Sequence, residues 1–254
     1  VADCARGAGA SETVVVVGHG AAEVRDKLAG VKFAYQEQQL GTGHAVMQAE
    51  SFIASGDVLV LCGDTPLLTS ETISRMYRAH KQGNCHATVL TADFEDPYNY
   101  GRIIRDAEGK VISIVEERDA DSEQKKIREI NSGIYLFDGP SLKEALKGLK
   151  NDNDQKEYYL TDAIKILNEK NLNVRAFKIE DPEEIMGVNN RLQLYQAASI
   201  MTKRILEKHM LSGVTIIDAA NTYIEAGVKI ERDVTILPGC MLKGSAYIEE
   251  DAII

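Results

Sequence analysis

A carboxylate just past a short run of branched aliphatic residues is well placed to hold a divalent cation on a phosphate. Asp64 has such a place, because it follows Val58, Leu59, Val60 and Leu61 within CGDTPL (residues 62–67). Ligands of open α/β sheets bind in the crevice beyond the carboxyl ends of the strands, and Mg2+ takes one or two carboxylates together with phosphate oxygens. The competing reading of Asp64 is a turn aspartate that bonds its own backbone ahead of Thr65 and Pro66. A second segment of this kind is QLGTGHA (residues 39–45). Its glycines would let a ligand reach the backbone, and the helix that follows would offer free N–H groups. Thr42 serves there either as a ligand contact or as a plain N-cap. The spacing matches neither GxxxxGK[ST] nor GxGxxG. Gly18-His19-Gly20 also follows a strand pattern, but Glu23 stands where a dinucleotide fingerprint has its third glycine, so it reads as a turn.

Further along, Gly101 opens a hairpin where the backbone could meet a sugar hydroxyl or merely turn tightly. Glu116 and Glu117 end the second hairpin strand. Asn131, in an otherwise apolar run, must find hydrogen-bond partners. EYYLTD (residues 157–162) combines Glu157 with a helix start at Thr161 or Asp162. Asn189, ahead of a long helical pattern, is either an oxygen donor to a metal or a helix cap.

The elements that must position these residues alternate. Strand patterns at 13–17, 31–36, 57–62 and 87–92 are interleaved with helical ones at 21–29, 44–54 and 70–82, the last capped by Thr69 or Ser70. This is the signature of βαβ units. Residues 102–105 and 110–115 flank DAEG and read as an antiparallel hairpin, so the sheet is mixed. A strand at 130–137, helices at 141–150 and 161–170, a strand at 174–179 and a long helix over about 190–211 complete this part. With 254 residues, 44% of them hydrophobic, the chain can bury a core without staples. Its four cysteines are scattered with no CxxC pair, which argues against zinc, iron–sulfur and secreted disulfide frameworks and favours a reducing cytoplasm. No apolar run is long enough to span a membrane. A net charge of -10 disfavours nucleic acid, and any phosphate would have to be met locally.

The last segment obeys a different period. Ile224, Ile230, Ile236, Leu242, Ile248 and Ile254 recur every sixth residue, with Val228, Val234, Cys240, Ala246 and Ala252 four residues after the first five. Such a hexapeptide repeat predicts a left-handed parallel β-helix, with both positions turned inward.

Taken in order, VVVVGHG, QLGTGHAV, CGDTPL, YGRI, IVEE, EINSGIY, EYYLTD and GVNNRLQL resemble the bacterial sugar-1-phosphate nucleotidyltransferases. The likeness is strongest to the bifunctional N-acetylglucosamine-1-phosphate uridyltransferases that also acetylate glucosamine-1-phosphate. The resemblance implies an α/β, Rossmann-like sheet, mixed but mostly parallel and of the nucleotide-diphospho-sugar transferase type. A linker helix and the start of a β-helix would follow, with domains at 1–188, 189–213 and 214–254. It implies that Gln36, Gly41 and Thr42 contact uracil, that Gly63 lies against the nucleoside, and that Asp64 and Asn189 hold the catalytic Mg2+. Gly101, Glu116, Asn131 and Glu157 would bind the N-acetylglucosamine moiety.

The implied substrates are UTP and N-acetylglucosamine-1-phosphate, with acetyl-CoA a partner of the full-length protein only, and the implied assembly is a homotrimer. Cys62 stands where the family usually has Tyr. The family's Gly-rich LxAGxGTxM loop and its acetyl-transfer residues fall outside these residues, so the polypeptide taken alone is expected to be a weak or inactive uridyltransferase. Two alternatives remain open at this point: a nucleotidyltransferase for another sugar-1-phosphate, and a non-catalytic trimeric β-helix scaffold.

Overall fold

Short β-branched runs separated by glycine-bearing turns become strands in the computed structural model, which describes residues 1–53 and 55–254. They fall into two units, Val1–Ile185 and Met186–Ile254. In the first, α1 (Ala2–Gly7) precedes β1 (Val14–Val17), α2 (Ala21–Lys27), β2 (Lys32–Tyr35), α3 (Thr42–Gln48), β3 (Asp57–Val60) and α4 (Ser70–Gln82). Next come β4 (Ala87–Asp93), β5 (Gly101–Arg105), β6 (Val111–Val115), β7 (Glu129–Asp138), α5 (Gly139–Gly148), α6 (Asp162–Glu169) and β8 (Val174–Lys178). The helix expected over 44–54 begins two residues earlier and ends at Gln48, where the chain tightens into a 3-10 turn at Glu50–Phe52. Ala54, the last residue of that expectation, lies outside the described residues. Thr69 caps α4, its hydroxyl accepting from the Thr72 N–H at 3.2 Å, and Asp138 caps α5 in the same way.

β1 and β2 pair in parallel. The larger sheet runs β6-β5-β7-β4-β8, with β3 also on β7. β3, β4 and β5 are all antiparallel to β7, and β8 is parallel to β4. β3, β4, β5 and β8 therefore share one direction against β6 and β7, giving a mixed, mostly parallel sheet of α/β class. Period-two alternation sends neighbouring side chains to opposite faces. Val89, Tyr135 and Phe137 pack with Leu142 of α5 and Ile164 of α6, while Leu90, Ile134 and Leu136 pack with Ile73 and Met76 of α4.

β7 carries the feature that matters for a site. Along one edge it pairs with β4, but its other edge is shared end to end. β5 takes Ile130 and Asn131, and β3 takes Tyr135 through Asp138. Between these two partners lie Ser132, Gly133 and Ile134, with Gly133 at φ +75, a conformation that favours glycine. The sheet opens there.

In the second unit Asn190 caps α7 (Arg191–Leu211). The chain then winds through β9 (Thr215–Ile216), β10 (Tyr223–Ile224), β11 (Lys229–Ile230), β12 (Thr235–Ile236), β13 (Met241–Leu242) and β14 (Tyr247–Ile248). β10 pairs with β13 and β11 with β14, both in parallel; Tyr223 to Met241 is 18 residues, three hexads per coil. The β9–β12 coil is longer, Thr215 to Thr235, because the 3-10 turn Ala219–Asn221 is inserted. Both repeating positions face inward: Ile224, Val228, Val234 and Ile236 are buried, and Leu206 of α7 packs on Ile224 and Val228.

Candidate functional site

Asp64 sits in the turn that leaves the carboxyl end of β3, beside the opening in the sheet. The turn is held by Thr65, whose hydroxyl donates to the Cys62 carbonyl at 3.0 Å. Asp64 itself is exposed, and among the described residues its carboxylate takes part in no hydrogen bond or ion pair. The turn-aspartate reading therefore fails, since Thr65 does that work. Cys62 faces the gap: its thiol donates to the Gly133 carbonyl at 3.4 Å, and a Cβ on Gly133 would lie 2.7 Å from its sulfur. Burial, aided by the charge of Asp64, pushes this thiol up to about 11, so it is not a nucleophile.

Across the gap, Gly101 begins β5 opposite Asn131. A Cβ there would meet Ile114 at 3.1 Å, the Glu116 carboxylate at 3.3 Å and Asn131 at 3.5 Å, so glycine is what allows these groups to converge. Asn131 accepts from the Gly133 N–H at 3.1 Å and bonds the fully buried Tyr135, whose hydroxyl burial pushes well above its ordinary value. Glu116 accepts from the Thr161 hydroxyl at 3.2 Å. Burial raises its carboxyl above the usual range; the Thr161 bond opposes this, and Asp119 and Asp162 add to it. Thr161 stands at the N-cap of α6 without a side-chain cap bond, because its hydroxyl is turned to Glu116 instead. Nearby, the Tyr159 hydroxyl is buried with no hydrogen-bond partner among the described residues. Its pKa is raised to about 12, by burial first and then by Asp119, Glu116 and Glu157.

The glycine-rich segment joins this cluster from the other side. The Gly43 N–H donates to the Tyr158 carbonyl and the Tyr158 N–H to the Leu40 carbonyl, each at 2.7 Å. Thr42 is the first residue of α3 rather than its cap, a place taken by Gly41; its hydroxyl accepts from the Leu160 N–H at 3.1 Å. Gly41 has φ +103, and a Cβ on it would lie 2.7 Å from the Tyr158 carbonyl and 2.8 Å from Glu157. Gln36 donates from Nε2 to the Gly41 carbonyl at 3.2 Å and meets His44 Nδ1 at 3.0 Å.

Contacts thus run from Gln36 to Gly41 and on to Glu157 and Tyr158, from Thr42 to Leu160 next to Thr161, from Thr161 to Glu116, Gly101 and Asn131, and on through Gly133 to Cys62 in the turn that also holds Gly63 and Asp64. Asn189 lies in the second unit. The cap there is Asn190, which accepts from the Gln193 N–H at 2.9 Å, while Gln193 Oε1 accepts from the Asn189 N–H at 2.8 Å. This capping pair leaves the exposed Asn189 carboxamide without a hydrogen bond among the described residues. Tyr135, Thr161 and His44 join the network without having stood out as ligand groups. Tyr135 lay unremarked in the strand pattern at 130–137 and Thr161 read as a cap, whereas the partnership of Thr161 with Glu116 spans 45 residues.

The split, helix-covered sheet and the loops gathered beside its opening define a nucleotidyl transferase domain: residues 5–182 match the Nucleotidyl transferase model, so the chain belongs to that family. Among curated proteins it is similar to the "Bifunctional protein GlmU" of Alkaliphilus oremlandii, 52% identical over the whole of this chain and 56% of that protein. It is likewise similar to the protein of the same name from Clostridioides difficile, at 51% with the same coverage. The chain spans about half the length of these curated relatives. Among solved structures, a UDP-glucose pyrophosphorylase complexed with UDP-glucose shares the fold, with a TM-score of 0.63 at 18% identity over 80% of this chain and 84% of that one.

Proposed function

We propose that this chain carries out uridylyl transfer: UMP passes from UTP to N-acetylglucosamine-1-phosphate, giving UDP-N-acetylglucosamine and pyrophosphate. The observation that carries this reading is the opening of the sheet between β3 and β5. There one network of contacts links the glycine-rich loop at 39–45, a polar cluster around Glu116 and Asn131, and the turn of Asp64. The name shared by the relatives agrees with it. A phosphate oxygen of the sugar phosphate attacks the α-phosphorus of UTP; the new P–O bond forms as the bond to the β-phosphate breaks, and pyrophosphate leaves. No covalent enzyme intermediate is needed, so the residues act by position and charge.

In this proposal Gln36, Gly41 and Thr42 hold the base and Gly63 lies along the nucleoside. Gly101, Glu116, Asn131 and Glu157 take the sugar hydroxyls and the acetamido group. The Tyr159 hydroxyl, without a hydrogen-bond partner among the described residues, supports a polar ligand beside that cluster, because a buried donor without an acceptor is costly. Asp64 and Asn189 suit a hard cation. Each, taken by itself, offers an oxygen that its own turn or cap does not use among the described residues, and Mg2+ needs few protein ligands when phosphates supply the rest. When bound, Mg2+ would neutralise phosphate charge.

The proposed division of labour is a transferase domain to 188, a linker over 189–213 and a β-helix from 214. The intact protein would assemble as a cytoplasmic homotrimer and use acetyl-CoA in acetyl transfer. Among the described residues, no helix is long and apolar enough to cross a membrane. The test is Asp64→Asn in the intact protein, assayed by pyrophosphate release against Mg2+ concentration. Turnover falls at least about 100-fold with an unchanged unfolding midpoint; turnover close to the parent's refutes the assignment.

A further inference from the structure

Among the described residues His44 makes no hydrogen bond to the polar cluster proposed for the sugar, yet it sits between two glutamines. Gln36 Nε2 lies 3.0 Å from its Nδ1 and Gln48 Nε2 lies 3.2 Å from its Nε2. The ring is fixed in place, stacked on Tyr158 with centroids 6.2 Å apart. A neutral imidazole accepts at one nitrogen and donates at the other, so it can take the amide N–H of only one of these glutamines. Gln36 decides the matter. Its Nε2 also donates to the Gly41 carbonyl at 3.2 Å, and turning that amide over would set oxygen against oxygen. Gln48 Nε2 also donates to a carbonyl, that of His44 at 3.1 Å, so its amide cannot turn over in place; but this bond lies within its own helix at the last residue of α3, and the side chain can swing off it and present its oxygen to Nε2.

We propose that His44 is a positioning residue for base selection. Its Nδ1 accepts from Gln36, so that both amide hydrogens of Gln36 are committed and Oε1 alone is left for the nucleobase. This rests on the proposed contact between Gln36 and the base. A fixed acceptor selects a base that presents an N–H. Uracil and thymine do so at N3, whereas cytosine presents a lone pair there. The site would then reject CTP by the orientation of one amide, and His44 sets that orientation without touching the nucleotide.

The test measures kcat/KM of the intact protein for UTP, CTP and dTTP. His44→Leu frees the Gln36 amide to turn, and the UTP:CTP preference falls about tenfold or more. The UTP:dTTP preference stays constant, since both bases carry the N3 hydrogen. His44→Asn, whose Oδ1 can take the place of Nδ1 as acceptor, retains the UTP:CTP preference. A uniform loss across the three nucleotides, or parallel losses in both ratios, marks a structural role and overturns the proposal. Gln36→Ala separates the two levels: if it leaves the UTP:CTP ratio at the parent value, the base contact of Gln36 falls, and the role of His44 with it. A 15N spectrum of histidine-labelled protein gives an answer that needs no variant. The expected tautomer carries its proton on Nε2 of His44, and a proton on Nδ1 refutes the proposal.

Discussion

The interlock between the glycine-rich loop and residues 157–160 predicts a large effect from a single methyl group at Gly41. Two costs add. The first is conformational, because φ is +103, and an L-residue held in so sparsely populated a region costs about 1–3 kcal/mol. The second is steric. The new Cβ would sit 2.7 Å from the Tyr158 carbonyl oxygen, 2.8 Å from Glu157 Cβ and 3.0 Å from the Tyr158 nitrogen, and the two obstacles on Tyr158 are backbone that cannot swing away. Overpacking of this kind costs about 1–3 kcal/mol more. Relief requires parting Gly43 from Tyr158 and Tyr158 from Leu40, the bonds that hold the loop. Gly41→Ala is therefore expected to lose roughly 2–6 kcal/mol, and a loss near 3 lowers the melting temperature by about 6–12 °C in a unit of this size. Gly20→Ala is the control, since φ there is +68 but nothing lies within 4 Å of the added Cβ. It should show the conformational cost alone, about 1–2 kcal/mol. Urea unfolding of both variants measures the difference. If Gly41→Ala is no less stable than Gly20→Ala, the loop is not seated on Tyr158 as described.

Two further outcomes follow from the same network. Gly63→Ala adds a Cβ that meets nothing within 4 Å, so stability should change by less than about 0.5 kcal/mol; kcat/KM should nevertheless fall about tenfold because that space is proposed for the nucleoside, and an unchanged kcat/KM removes Gly63 from the site. Glu116 has its proton affinity raised by burial, so its contribution is fully present below the ordinary carboxyl pKa and is lost as pH rises through the shifted one. Glu116→Gln keeps an acceptor for Thr161 and should gain on the parent in urea midpoint between about pH 4 and neutrality; midpoints that run parallel across this range refute the burial argument.

Local chemistry was legible wherever it was decided locally. The hexad positions announced the solenoid because every coil repeats the same two inward residues, and Thr69 or Ser70 announced the start of α4, where the cap is Thr69. What the residues could not reveal was non-local. Thr42 and Thr161 both have the look of caps, and both spend their hydroxyls elsewhere, on Leu160 and on Glu116. Asp64 looked like a possible turn residue, yet its neighbour Thr65 closes the turn. The sharing of one β7 edge by β3 and β5 creates the opening, and no period in residues 129–138 encodes it. His44 was invisible for the same reason: its meaning depends on Gln36, which reaches it from the preceding loop.

The distribution of charge follows the two halves of the proposed substrate. Glu116, Asp119, Glu157 and Asp162 lie close enough to raise one another's proton affinity or that of Tyr159, and a phosphate brought among them would be repelled. Sugar hydroxyls suffer no such penalty. They donate to carboxylates, and a donor bound there offsets part of the cost of keeping Glu116 charged in a buried place. In the proposed function the phosphates then sit toward Asp64, which is exposed, without a hydrogen-bond or ion-pair partner among the described residues, and separated from the carboxylate cluster by the neutral groups of Cys62, Gly133 and Asn131. One lone carboxylate next to polyphosphate is tolerable only with a cation between them. The bare Asp64 and the crowded Glu116 are thus two answers to one electrostatic problem, and exchanging their surroundings would disable both.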